Sequence, residues 1–129
     1  MQIATTGARL LLGVIFGAAG ISGFLIINNP PPAPPGLATA FQNVFFASHW
    51  VLFVDAIECV AGVLLVANVY VPLALLALAG VIYNMFVFYL MMMPIGLPAP
   101  IIATALWILT ATPYRAVLEP LLKPKLHAP

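Results

Sequence analysis

Three apolar stretches of bilayer length, residues 7–27, 50–69 and 71–93, constrain this chain more than anything else in it. A hydrocarbon core is about 30 Å thick and an α-helix rises about 1.5 Å per residue, so about 20 apolar residues are enough to cross it. A fourth stretch, 99–114, is shorter and is expected to cross with little tilt or with local thinning of the bilayer. Composition agrees: 64% of the 129 residues are hydrophobic and 5% are charged, against roughly half and roughly a quarter in soluble domains. A soluble fold of this size would be left with large exposed apolar patches. The expected fold class is therefore all-α: a polytopic membrane protein built as a four-transmembrane-helix bundle.

The breaks between the spans are as informative. NNPPPAPPG, residues 28–36, cannot be helical, because each proline removes a backbone donor and holds the chain extended. After it, LATAFQNVFFASHW places Leu37, Phe41, Val44, Phe45 and Trp50 at helical spacing, which predicts a short interfacial helix with Trp50 as an aromatic anchor. PIGLPAP, residues 94–100, is the second loop. We expect one transmembrane domain over 1–115, followed by a Pro-rich cytoplasmic tail over 116–129 whose Leu118, Leu121, Leu122 and Leu126 rest on the membrane surface. The first apolar run exceeds the roughly 7 to 15 residues of a signal-peptide core and lacks a clear cleavage site, so it is read as a retained span.

Chemistry is sparse and concentrated. Two of the three acidic residues, Asp55 and Glu58, lie inside the second span, three apart and so on one helix face, beside the single cysteine, Cys59. Ionisable groups at membrane depth are costly and usually face a bundle interior or a wet cavity, which makes this face the first place to look for function. One cysteine excludes an intrachain disulfide and a Cys-rich metal site, and Cys59 reads as a small packing residue. A net charge of +1 with no basic run gives no reason to expect a nucleic-acid partner. His49 stands at the interface, either as a surface histidine or as an axial ligand for a pigment or haem; the other histidine, His127, is in the tail. Gly13, Gly17, Gly20 and Gly23 form a small-residue face on the first span, suited to close helix packing or to flooring a pocket.

Four spans put both ends on one side. All four Lys and Arg residues, Arg9, Arg115, Lys123 and Lys125, lie on that side, so the positive-inside rule predicts cytoplasmic termini and places His49 outside or in the periplasm. Counting rise per residue from that boundary sets Glu58 at roughly 15 Å, Asp55 and Asn84 at roughly 20 Å, and Arg9 at only roughly 4 Å. Side chains lean towards their own helix N-terminus, which disfavours an Arg9–Glu58 ion pair and brings Glu58 and Asn84 towards each other. Tyr83, Ser22 and Thr104 are further candidates for an intramembrane polar cluster with Asp55, Glu58 and Asn84. Without a cation at that depth the two acids cannot both stay charged cheaply, so a protonated carboxyl that donates a hydrogen bond is the expected state. Such a cluster serves either to fix helix register or to bind a small polar head, such as a quinone carbonyl or a proton.

The order ARLLLGVIFGAAGISGF, a proline-containing loop, HWVLFVDAIECVAGVLLVANVYVPLALLALAGVIYNMFVFY and a GL loop resembles the DoxX-like family of small four-helix membrane proteins, over roughly residues 7 to 112. The most specific parts are Glu58, Gly62, Leu64 and Leu65, the VPLAL turn at 71–75, and Asn84. The resemblance marks Arg9, Glu58, Gly62 and Asn84 as family-pattern positions. The pattern often carries a histidine five residues after the asparagine, where this chain has Tyr89. Family members take their name from a subunit linked to thiosulfate:quinone oxidoreductase, and others accompany membrane redox systems. The resemblance thus implies the four-helix fold and a redox neighbourhood more than a reaction, and the expected location is the bacterial inner membrane.

Three functions follow as expectations. The first is a small accessory subunit of a larger membrane electron-transfer complex, respiratory or photosynthetic, with no catalysis of its own and contacts to quinone, lipid or pigment supplied with its partners. The second is the membrane subunit of a thiosulfate:quinone-type oxidoreductase using Glu58 or Asp55 for proton transfer. The third is a small proton-coupled transporter, although no inverted repeat or broken helix pair is visible.

Overall fold

The computed structural model describes residues 2–32 and 35–125, all helical or loop. The helices are α1 (Gln2–Ile26), α2 (Leu37–Ala47), α3 (Trp50–Ala67), α4 (Val71–Met92), α5 (Pro98–Ala111) and the short α6 (Arg115–Leu118). Four segments are long and apolar enough to cross a membrane: α1, α3, α4 and the stretch Pro94–Leu122 built on α5. In the bundle α1 packs against α3 and α5, and α4 closes the ring by packing against the same two helices. Leu12, Phe16, Leu65, Leu75, Leu78, Ile82 and Ala103 meet at its centre. Leu11, Val14, Phe53, Val60, Leu73, Leu76, Ile101 and Ile108 point outward, as expected of helices solvated by lipid.

The α3–α4 reversal takes only Asn68, Val69 and Tyr70. Asn68 and Tyr70 have φ of 59° and 50°, left-handed values that let the chain turn back so abruptly. The Val69 N–H donates to Leu64 O at 3.1 Å and the Asn68 N–H to Leu65 O at 3.2 Å, the paired bonds of a Schellman ending. Pro72 then occupies the first turn of α4, where no donor is needed. On the other side of the ring, the Trp107 Nε1–H donates to Leu75 O at 2.8 Å and ties α5 to α4.

The fourth span is longer than its apolar run indicates. Helical turns continue from Pro94 through α5, Thr112–Tyr114, α6 and Glu119–Leu122, 29 residues in all. Pro113 and Pro120 each sit in the first turn of a 3₁₀ segment, where the missing N–H costs little, so they redirect the helix without ending it. Residues 116–122, expected in a surface tail, are thus part of this helical course, and Leu118 packs with Tyr114 against the core. Leu121 and Leu122 are exposed, while Leu126 and His127 lie outside the described residues. At the other end α1 begins at Gln2, five residues before the apolar run.

Helix α2 lies across the loop-side ends of α3 and α4. Its Phe41 and Phe45 stack with ring centroids 5.3 Å apart, and Phe41 reaches Phe88 of α4 at 5.2 Å. Trp50, at the start of α3, is 66% exposed, the position of an interfacial anchor.

Candidate functional site: the two faces of α3

One face of α3 is closed against α1 by glycine. The two helices run antiparallel, and a Cβ added to Gly62 would stand 2.5 Å from Gly17 N and 2.7 Å from Gly13 O. A Cβ on Gly20 would stand 2.6 Å from Cys59 N. Real Cβ atoms do not approach backbone so closely, so these glycines are what lets the two backbones touch. Arg9, near the start of α1, reaches the end of α3 and donates from Nη1 to Leu65 O, with Val66 O at 3.4 Å. Leu65 O also accepts from the Asn68 N–H of the turn, and a cation beside these last carbonyls complements the helix dipole. Arg9 therefore caps α3 and makes no ion pair with Glu58.

Asp55 belongs to this closed face. It is 7% exposed, and its carboxyl lies on Gly23, where an added Cβ would overlap Oδ2. Oδ2 has no hydrogen-bond partner among the described residues. One turn on, Glu58 is close enough to Asp55 for the two carboxyls to hydrogen-bond when one of them carries a proton. No Lys or Arg reaches them: Arg9 is held by backbone carbonyls, and Arg115 pairs with Glu119 at 3.2 Å on the exposed surface.

The opposite face of α3 is open. Between α2, α3 and α4 lies a groove of about 850 Å³ walled by Phe41, Phe45, Val54, Ile57, Val81 and Phe88. Glu58 from α3 and Asn84 from α4 both line it. Asn84 donates from Nδ2 to Gly80 O at 2.9 Å, which leaves its second N–H and its carbonyl oxygen for other partners. Glu58 and Asn84 thus share a cavity without bonding to each other.

The other candidates are placed elsewhere. Tyr83 is 69% exposed and does not line the groove. Ser22 and Thr104 each donate to their own helix, to Ala19 O and Pro100 O at 2.7 and 2.8 Å. His49 is exposed, with φ 61°, in the turn between α2 and α3, and rims a separate hollow of about 380 Å³ with Asn28, Gln42, Asn43 and Phe46. Among the described residues no three His, Cys, Asp or Glu side chains come together as metal ligands. Cys59 is half-buried and unpaired, between the glycine contact and the groove-facing residues. The aromatic walls Phe41, Phe45 and Phe88 were not singled out from sequence as site residues, although the i, i+4 spacing of the first two shows one common face.

A family model described as DoxX matches residues 4–92, from the first turns of α1 to the last residue of α4. The match stops short of the fourth span, so it is less extensive than the resemblance drawn over 7 to 112. No curated protein and no solved structure matches the chain. Both faces of α3, with Arg9, Asp55, Glu58, Gly62 and Asn84, lie inside the matched stretch, and the chain belongs to the DoxX family.

Proposed function

We propose that this DoxX-family protein is a small accessory subunit of a larger membrane electron-transfer complex, respiratory or photosynthetic, and contacts a lipid-soluble molecule such as a quinone, a lipid or a pigment. The observation that carries this reading is the α2–α3–α4 groove: a largely apolar cavity within a bundle, with the Glu58 carboxyl and the Asn84 amide facing each other's helices across it. Its volume falls within the roughly 300 to 1,000 Å³ usual for small-molecule sites. The fourth span supports the subunit role, since only 17% of its apolar window is buried within the chain, which leaves a long apolar face for partner helices or lipid.

On this reading the protein sits in the bacterial inner membrane with both termini in the cytoplasm, the side on which Arg9, Arg115, Lys123 and Lys125 fall. Gentle detergent extraction of the native membrane followed by blue-native electrophoresis is expected to show the chain migrating with much larger polypeptides. A stable monomer under those conditions contradicts the proposal. The second reading, proton transfer to a quinone within a thiosulfate:quinone-type oxidoreductase, is favoured by Glu58 facing the groove. Replacing Glu58→Gln in the assembled complex is then expected to slow quinone turnover, and unchanged turnover removes that reading.

A further inference from the structure

The groove is asymmetric in charge. Its polar lining from α3 and α4 is the Glu58 carboxyl, the Asn84 amide and the Trp50 and Tyr89 rings, with Gln42 and Ser48 at its α2 end, and no Lys or Arg is among its lining residues. An anionic head would meet carboxyl oxygens and no cation. An ionised Glu58 would itself be a half-buried charge at membrane depth without a counterion, an arrangement that hydrocarbon penalises. The arrangement that satisfies these groups together is neutral. In that arrangement Asp55, sealed on Gly23 with Oδ2 unpartnered, would hydrogen-bond to Glu58 through a proton, and Glu58 would present its own O–H to the groove. Asn84 has a free N–H on the facing helix. Two donors, one from α3 and one from α4, then converge on a space walled by phenylalanine.

We propose that this groove binds an uncharged, lipid-soluble carbonyl compound, with Glu58 and Asn84 as the two donors to its oxygen and Asp55 as the positioning residue behind Glu58. The inference rests on the reading of the groove as a contact for a lipid-soluble molecule and narrows it to a neutral hydrogen-bond acceptor. Gly23 is part of the device, because only a glycine leaves room for the Asp55 carboxyl beside α1. Phe41, Phe45 and Phe88 supply flat apolar walls for the ligand body.

Trp50 lines the groove, so bromine-labelled probes report occupancy by quenching its fluorescence. The full chain carrying Trp107→Phe, in nanodiscs of uncharged phospholipid, is titrated with four brominated probes of one chain length: a methyl ketone, the fatty acid, the alkyltrimethylammonium and the alkane. The ketone is expected to saturate at a concentration about tenfold below the other three, the effect of about one hydrogen bond. Tightest binding by the ammonium probe would show an ionised acid site, and equal binding by the alkane would show a nonspecific apolar groove; either overturns the proposal. Glu58→Leu and Asn84→Leu are each expected to weaken the ketone about tenfold, whereas Glu58→Gln, which keeps a donor, holds it within about threefold.

The role of Asp55 is read separately, by infrared difference spectra on ketone binding. A protonated-carboxyl C=O band is expected to shift in the parent chain, that shift to be lost in Glu58→Gln, and the band to move in frequency in Asp55→Asn. An unmoved band with unchanged affinity in Asp55→Asn overturns the positioning role. Probe binding uses the isolated chain and comigration uses the native membrane. Failure of ketone binding with comigration intact removes this inference alone, and loss of comigration with ketone binding intact removes the subunit role alone.

Discussion

Against α1, helix α3 offers Gly62 and receives Gly13, Gly17, Gly20 and Gly23, until backbone lies on backbone; against α4 and α2, the same helix leaves a groove of about 850 Å³ between phenylalanine rings. In lipid, burying apolar side chains gives no advantage over leaving them among acyl chains, so helices associate through close packing and polar contacts. The glycine face supplies that close packing and fixes the register of α3. With register fixed there, the opposite face is free to stay open, and the two acids divide between them: Asp55 to the sealed side, Glu58 to the open one. The precision of the groove is thus set by the interface that has no cavity.

The largest effect is expected from adding bulk to the sealed face. Gly62→Val would drive side-chain atoms into Gly17 and the Gly13 carbonyl, and is expected to cost about 3 kcal/mol or more, read as a lower unfolding midpoint in detergent. Val63→Ala, one position on and facing lipid, should leave the midpoint nearly unchanged, and equal losses for both would break the contrast between sealed and exposed faces. Next comes Gly23→Ala, which collides with the Asp55 carboxyl; about 2 kcal/mol is expected. Combining it with Asp55→Ala should recover much of that loss, and strict additivity in the double-mutant cycle would show that the two residues do not touch.

Smaller losses test the edges of the bundle. Arg9→Gln removes the charged cap on the last carbonyls of α3 and is expected to cost about 1 kcal/mol, with Arg9→Lys intermediate. Trp107→Phe removes one partly buried hydrogen bond to Leu75 O and should cost about 1 kcal/mol without altering the groove. Arg115→Ala, which breaks an ion pair between two exposed side chains, is expected to leave stability unchanged within measurement.

Much of this architecture is legible in the residues. Apolar run lengths locate the spans, the proline cluster locates the first loop, and the tilt of side chains towards their helix N-terminus places Glu58 and Asn84 in one cavity and Arg9 away from it. The continuation of the fourth span to Leu122 is not legible, because a proline reads as a stop unless its place in a new first turn is known. Nor is the parting of Asp55 from Glu58. A spacing of three puts them on one face, but that face is wide enough to border two neighbours, and which acid meets which helix depends on where the α1 glycines fall along α3. Tyr83 is adjacent to Asn84 in sequence, and neighbouring helical positions diverge by about 100°. It faces outward while Asn84 lines the groove.

The division of the two acids between the faces of α3 depends on the Asp55 carboxyl being sealed on the glycine face of α1. Solid-state NMR on the full chain in lipid bilayers, with ¹³C in the Asp55 side chain and at the glycine Cα positions, measures this directly. A strong Asp55 Cγ to Gly23 Cα cross-peak is predicted. An Asp55 carboxyl that correlates with lipid acyl protons and shows no glycine cross-peak would contradict the account.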